Sequence, residues 1–201
     1  MNGRSYRGMS AEERLEERRE RLISAAYTLF SEPGFPETTI ERLCAEARIS
    51  NRAFYECFSG REELMQTVYN RCVHETLESM SKAIEQAPDT LADRVRTGIT
   101  SYIGFVTEDR RRAQIMHLEV RRAGDCLLTS RQSAVAALTR TIESNVADLP
   151  EATKANQHLL ALGMIGAIQE LLIEWVLADD PPPVARLIDT ATHIFQRAFV
   201  T

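Results

Sequence analysis

Apolar residues recur every three or four positions along most of the chain, and no stretch alternates apolar and polar residues over the length of a strand. The pattern predicts an all-α protein. Ser10-Ala-Glu-Glu13 has the form of a capping box and opens a first helix with the stripe Leu22, Ala25, Ala26, Leu29 and Phe30. Its early part, EERLEERRERL, is charged on every side and belongs in solvent, and Gly34 with Pro36 ends the helix. Thr38-Thr-Ile-Glu41 reads as a second capping box before a two-turn helix whose inner side is Ile40, Leu43, Cys44 and Ala47. Arg48 and Ile49 form a tight turn, Ser50 caps another short helix, and Ser59-Gly60 breaks it. Ser59-Gly-Arg-Glu62, a third capping box, starts a long helix that carries Met65, Val68, Tyr69, Cys72, Val73, Leu77, Met80 and Ile84 and ends near Pro88.

Five further helical segments follow. One begins at Thr90 and carries Val95, Ile99, Tyr102, Ile103 and Val106. A second, capped at Glu108-Asp109, carries Ile115, Met116 and Leu118, and a third runs from Leu127 to Val146. The segment at about 151–178 is apolar almost all round, so it must be covered almost all round. After the rigid Pro-rich turn, a last helix at about 184–199 presents Leu187, Ile188, Ala191, Ile194, Phe195 and Ala198 at helical spacing. Gly163, Gly166 and Ala167 would let another helix approach closely, so these two helices are expected to meet their symmetry mates in a homodimer. Gln169, Glu170 and Glu174 interrupt the apolar run and argue against a membrane span.

Two short helices joined by a brief turn have the dimensions of a helix-turn-helix, whose second helix enters the DNA major groove. In that reading Asn51 pairs with adenine, Arg52 makes a bidentate contact to guanine, Ala53 meets a thymine methyl, and Tyr55 and Arg61 reach phosphate oxygens. The bland alternative is an Arg52–Glu56 pair on a solvated helix, worth about 0.2–0.5 kcal/mol.

The stretch from Arg21 to Tyr69 also resembles the DNA-binding region of the TetR family of transcriptional regulators. The resemblance rests on Ala25-Ala-x-x-Leu-Phe30, Gly34-Phe35, Thr38-Thr-Ile40, Ile49-Ser50, Phe54-Tyr-x-x-Phe58 and Arg61-Glu-x-Leu64, about a quarter of the chain. It implies a three-helix DNA-binding domain over 1–60 with a charged N-terminal arm, and a helical ligand-binding and dimerisation domain over 61–201. It also implies a homodimer that binds a palindromic, double-stranded DNA operator, usually as a repressor released by a small-molecule effector. The DNA-contacting positions it suggests are Thr39, Asn51, Arg52, Ala53, Tyr55 and Arg61. Arg48 stands where the family usually carries Gly, which implies a left-handed backbone and adds a cation beside the DNA.

The net charge of −5 changes this picture in one respect, since any polyanion must be met by a local basic patch. Glu41, Glu46 and Glu56 lie near the proposed face, so the arm arginines Arg4, Arg7, Arg14 and Arg18 are expected to assist. The acidic total keeps a helical protein-interaction adaptor as the alternative. An apolar effector cavity is expected beyond Pro88, with Tyr102, Phe105, Met116, His117, Glu119, Gln169, Glu170 and Trp175 as candidates; the two carboxylates point to a cationic or hydrogen-bonding ligand. The scattered cysteines and histidines show no metal-ligand spacing and no cofactor or catalytic motif is present, so neither metal, cofactor nor enzyme activity is expected. The N-terminus lacks a signal-peptide pattern, and the expected location is the cytoplasm.

Overall fold

The structure is a computed structural model that describes residues 10–146 and 157–199, and every described element is helical. Ten α-helices follow in order: α1 Ala11–Leu29, α2 Ile40–Ala47, α3 Asn51–Cys57, α4 Arg61–Glu85, α5 Leu91–Glu108, α6 Arg110–Ala113, α7 Val120–Arg122, α8 Leu128–Val146, α9 Gln157–Leu177 and α10 Val184–Phe199. A π-helical turn, Gln114–Glu119, joins α6 to α7, and a 3₁₀ turn, Gly124–Leu127, precedes α8.

The chain divides into two compact units after Val68, eight residues beyond the boundary expected from the Ser59-Gly60 break. The cause is that Leu64, Met65 and Val68, on the first two turns of α4, are buried and belong to the N-terminal unit. A helix break marks the end of an element, whereas the unit ends where apolar packing does.

In the N-terminal unit, α1 is exposed from Ala11 through Glu17 and becomes buried at Leu22, Ile23, Ala25 and Ala26. Its capping box forms as expected: Ser10 Oγ accepts from the Glu13 amide at 3.1 Å and the Glu13 carboxylate accepts from the Ser10 amide at 2.6 Å. The second box does not form. Thr39, not Thr38, caps α2, accepting from the Arg42 amide at 3.3 Å, while the buried Thr38 hydroxyl lies 2.8 Å from the carbonyls of both Leu29 and Gly34. A hydroxyl that ties the end of α1 to the loop cannot also cap α2. At the third box the reciprocal partner is Glu63, whose carboxylate accepts from the Ser59 amide and hydroxyl, each at 2.7 Å. Those bonds, the one from the Ser59 amide first, hold the Glu63 carboxyl below the usual carboxylate range.

In the C-terminal unit, Leu91, Val95, Ile99, Tyr102, Ile103 and Val106 form the buried side of α5, and α9 buries Ala161, Met164, Ile165, Ile168, Leu172, Ile173, Trp175 and Val176. Helix α9 is the one described helix long and apolar enough to cross a membrane. Its other side remains open: Leu159 is 60% and Leu177 54% exposed, and Gly163 and Gly166 have open space where a Cβ would stand. Ile194 of α10 is exposed too, whereas the Ala198 side chain lies outside the described residues.

Candidate nucleic-acid interface and effector cavity

Helix α3 sorts its seven residues cleanly. Ala53, Phe54 and Cys57 face inward, and Asn51, Arg52, Tyr55 and Glu56 face solvent. Ser50 caps the helix through its Oγ, which accepts from the Ala53 amide at 3.2 Å. Ala53 therefore belongs to the inner face and is not one of the outward groups expected to meet a base. Tyr55 is 60% exposed and the Arg52 side chain 91% exposed, so both project from the unit. Phe54 is held edge-on to Tyr55 and packs near Phe58, which anchors the helix from behind.

The turn before α3 is built on Arg48, which adopts φ 54° and ψ 50°. The left-handed backbone expected there is present. It lets the Ile49 amide donate to Cys44 O at 3.0 Å and the Arg48 amide to Ala45 O at 3.2 Å, a Schellman closure made without glycine. Arg21 of α1 secures it: its guanidinium donates to the carbonyls of Ala47, at 2.9 Å from Nε, and of Arg48, at 2.6 Å from Nη2.

Other arginines are used in the same way. Arg19 donates to Cys57 O at 2.7 Å and stacks over Phe58 at 4.2 Å from its centroid. Arg61 donates to Thr38 O at 2.8 Å and Phe35 O at 3.2 Å and lies over the Phe35 ring at 4.7 Å. It is a brace under the loop that leads into Thr39, and the role of a projecting phosphate ligand expected from its position does not describe its geometry. Arg18 pairs with Glu56 at 2.8 Å, and Glu56 also reaches Arg52 at 3.5 Å, so Arg18 offsets the carboxylate that would otherwise repel a phosphate beside the recognition face. Arg14 is exposed; Arg4 and Arg7 lie outside the described residues.

Residues 22–68 match the family of bacterial regulatory proteins, tetR family. Residues 22–68 thus form a TetR-type DNA-binding region. Among curated proteins of this kind, the N-terminal region is similar to the HTH-type transcriptional regulator HbdR of Aromatoleum sp. (strain CIB), 41% identical over 51 residues, which cover 25% of this chain and 22% of that protein. The chain is also similar to the fatty acid metabolism regulator protein of Bacillus subtilis (strain 168), 19% identical over 177 residues, covering 86% of this chain and 91% of that protein. The first three curated relatives are matched over well under half of their own length. Among solved structures, a transcriptional regulator FadR from Bacillus subtilis in complex with stearoyl-CoA aligns with TM-score 0.75 at 16% identity, covering 88% of this chain and 96% of that one. At that identity the likeness is one of fold. The TetR-type helix-turn-helix followed by a helical C-terminal region is therefore the architecture of this chain.

The C-terminal unit contains three adjoining cavities. An outer one of about 320 Å³ is lined by residues that include Tyr69, Met116, His117, Arg121, Arg131 and Gln169. An inner, apolar one of about 60 Å³ lies among Met80, Ile84, Val95, Ile99, Tyr102, Leu138, Ile165 and Ile168. A neck of about 20 Å³ shares Tyr69, Met116, His117 and Gln169 with the outer cavity, and Tyr102 and Leu138 with the inner one.

Of the eight effector candidates, Tyr102, Met116, His117 and Gln169 line these cavities and the other four do not. Phe105 is covered by the Arg112 guanidinium at 3.8 Å, and the Trp175 Nε1 donates to Pro182 O at 3.1 Å with Arg110 over its ring. Glu119 is buried against Arg122 at 2.9 Å, and Glu170 projects to solvent near Arg121 at 3.9 Å. The carboxylates thus give no support to a cationic ligand. The charged lining residues that sequence reasoning missed are Arg121 on α7 and Arg131 on α8, which only the tertiary packing brings to one cavity.

That turn widens the helix so that Ile115, Met116, His117 and Glu119 are all buried while Leu118 is only half-buried. His117 is 3% exposed, its Nε2 has no hydrogen-bond partner, and burial first and Arg121 second push its pKa down to about 3, so it is neutral at physiological pH. Burial also raises the Tyr69 phenol to about 12 and moves the Tyr102 phenol upward. Among the described residues no three His, Cys, Asp or Glu side chains gather as a metal site.

Proposed function

We propose that this chain is a ligand-responsive transcriptional regulator that binds a palindromic operator as a homodimer, with repression as its output, in the cytoplasm. The observation that carries the reading is the outward quartet of α3. Asn51 and Arg52 stand at the first turn of a Ser-capped helix, where base edges are read, and Tyr55 stands one turn later. Thr39 at the start of α2 and Arg48 in the turn before α3 are exposed and supply phosphate contacts; Asn51 and Arg52 supply the sequence readout.

The open side of α9 and the exposed Ile194 of α10 serve as the dimer face, where Gly163 and Gly166 allow close approach. Helix α4 supplies core residues to the N-terminal unit and, through Tyr69, Met80 and Ile84, cavity walls in the C-terminal unit. An effector that prefers the DNA-incompetent state by about 1–3 kcal/mol lowers operator affinity by roughly one to two orders of magnitude.

The test is selection of bound duplexes from a random library with the wild type, Arg52→Ala and Tyr55→Phe. The expected result is a palindrome whose half-sites are separated by about one or more helical turns. Arg52→Ala relaxes one position at a cost of about 1–3 kcal/mol, and Tyr55→Phe weakens all sequences alike. If no sequence is enriched at low salt, the adaptor reading replaces this one.

A further inference from the structure

The three cavities form a graded path. At its outer end two arginines, Arg121 and Arg131, face a chamber whose lining contains no carboxylate. Arg131 makes no ion pair among the described residues, and its charge reaches the Tyr69 phenol. Among the described residues the ion-pair partner of Arg121 is the exposed Glu170, at 3.9 Å. At the inner end the one cation, Arg94, is already satisfied by Asp89 at 2.5 Å and by the Asn145 carbonyl at 3.0 Å, and the rest of the wall is almost wholly apolar.

Between them stands the neck, with the unpartnered Nε2 of His117 on its wall and Tyr102 edge-on to the His117 ring at 6.3 Å. A buried imidazole nitrogen without a partner costs stability unless something supplies one. At about 20 Å³ the neck is the smallest of the three spaces, which favours a slim chain over a ring system.

We infer that the effector of this chain is an unbranched amphipathic anion, its head held by Arg121, Arg131 and His117 in the outer chamber and its apolar chain threaded past Tyr102 and Leu138 into the inner one. The inference rests on the reading of the C-terminal unit as a ligand-responsive domain and names the ligand class. The head group has two chemical sources, a free carboxylate and the phosphates of a coenzyme A thioester; both place anionic oxygens opposite the two guanidinium groups. The chain supplies affinity by burial, at about fourfold per methylene until the inner chamber is full. The head supplies orientation through charge-assisted hydrogen bonds.

The experiment is calorimetric titration of the full-length protein with butanoate, decanoate, 1-decanol and decanoyl-CoA, with operator binding measured on the same preparation. Decanoate is expected to bind at least a hundredfold more tightly than butanoate and about tenfold more tightly than decanol. Arg131→Ala should lower decanoate affinity about tenfold and leave decanol unchanged, which a purely structural role of Arg131 would not do.

Gly98 lines the inner chamber, and a Cβ there would meet Ile84 Cδ1 at an ordinary 3.4 Å, so Gly98→Leu fills the chamber from a tolerant position. It should erase most of the gain from butanoate to decanoate. Decanoyl-CoA binding more tightly than decanoate assigns the head to the thioester, and the reverse assigns it to the free acid. Equal affinity for decanoate and decanol, or no gain with chain length, overturns the inference. Tight decanoate binding by a protein that binds no operator would leave the ligand class standing and remove the regulator reading; operator binding with no binding of any chain would do the opposite.

Discussion

At the scale of single residues, the feature that most separates this chain from a generic helix-turn-helix is how its arginines are used. Arg19, Arg21 and Arg61 each spend their donors on backbone carbonyls at the ends of α2 and α3 or in the loop before α2. The carbonyls at the ends of α2 and α3 sit where the helix itself offers no partner. Arg21→Ala should therefore cost about 1–3 kcal/mol of stability, the loss incurred when partly buried carbonyls lose a charged donor. Urea unfolding monitored by circular dichroism measures it, and an unchanged midpoint would show that water replaces the guanidinium at no cost.

A second residue gives a pH signature. The unfolded His117 titrates near 6.5, and burial depresses the folded value to about 3. Its contribution is whole above the unfolded value and is lost as pH falls from there toward the folded value, because the unfolded chain takes up a proton that the folded chain refuses. The wild type should lose about 1.6 kcal/mol more stability than His117→Gln between pH 6.5 and 5. Parallel pH profiles of the two proteins would refute that assignment.

At the scale of elements, the open side of α9 leads to a discriminating substitution. Gly163 and Gly166 lie inside a helix, with nothing near the place of a Cβ in the single chain. Replacing a helix-interior glycine by leucine stabilises an isolated helix by roughly 0.5–1 kcal/mol. The pair Gly163→Leu and Gly166→Leu should therefore leave the protomer folded and as heat-resistant as before, while the added bulk holds a partner helix away. Light scattering should report a monomer for the variant and a dimer for the wild type, and a variant that stays dimeric would move the interface elsewhere.

The same elements show what the sequence made legible. The apolar stripes of α1, α2, α4 and α5 could be read because burial repeats with the helical period, and the left-handed turn at Arg48 because the family resemblance made a non-glycine residue conspicuous there. The second capping box was misread because Thr38 and Thr39 both satisfy the pattern, and only the position of the Leu29 and Gly34 carbonyls decides between them. Leu118, expected on the apolar stripe, is only half-buried while Glu119 beside it is buried, because a π turn adds a residue to the turn and no local composition announces it. The arginine braces left no trace in the sequence at all, since their partners are carbonyls, which every residue carries.

At the scale of the whole molecule, an acidic protein that binds a polyanion must do so with few outward cations. Among those described near the recognition face, Arg42, Arg48 and Arg52 are exposed while Glu41, Glu46 and Glu56 share the neighbourhood. The Glu41 carboxyl is held below its usual range by its own backbone amide and by Thr39, so it is ionised at neutral pH and adds to the repulsion. Each phosphate neutralised contributes about 0.9 to the slope of log K against log salt concentration. Arg48→Ala removes one outward cation from each of two recognition units and should make that slope shallower by about two. Arg61→Ala removes an equal charge from a brace, so it should leave the slope unchanged and lower the unfolding midpoint. A slope that falls equally in both variants would mean that Arg61 leaves Thr38 to reach the DNA, and that the braces seen around this helix-turn-helix are given up when the operator is bound.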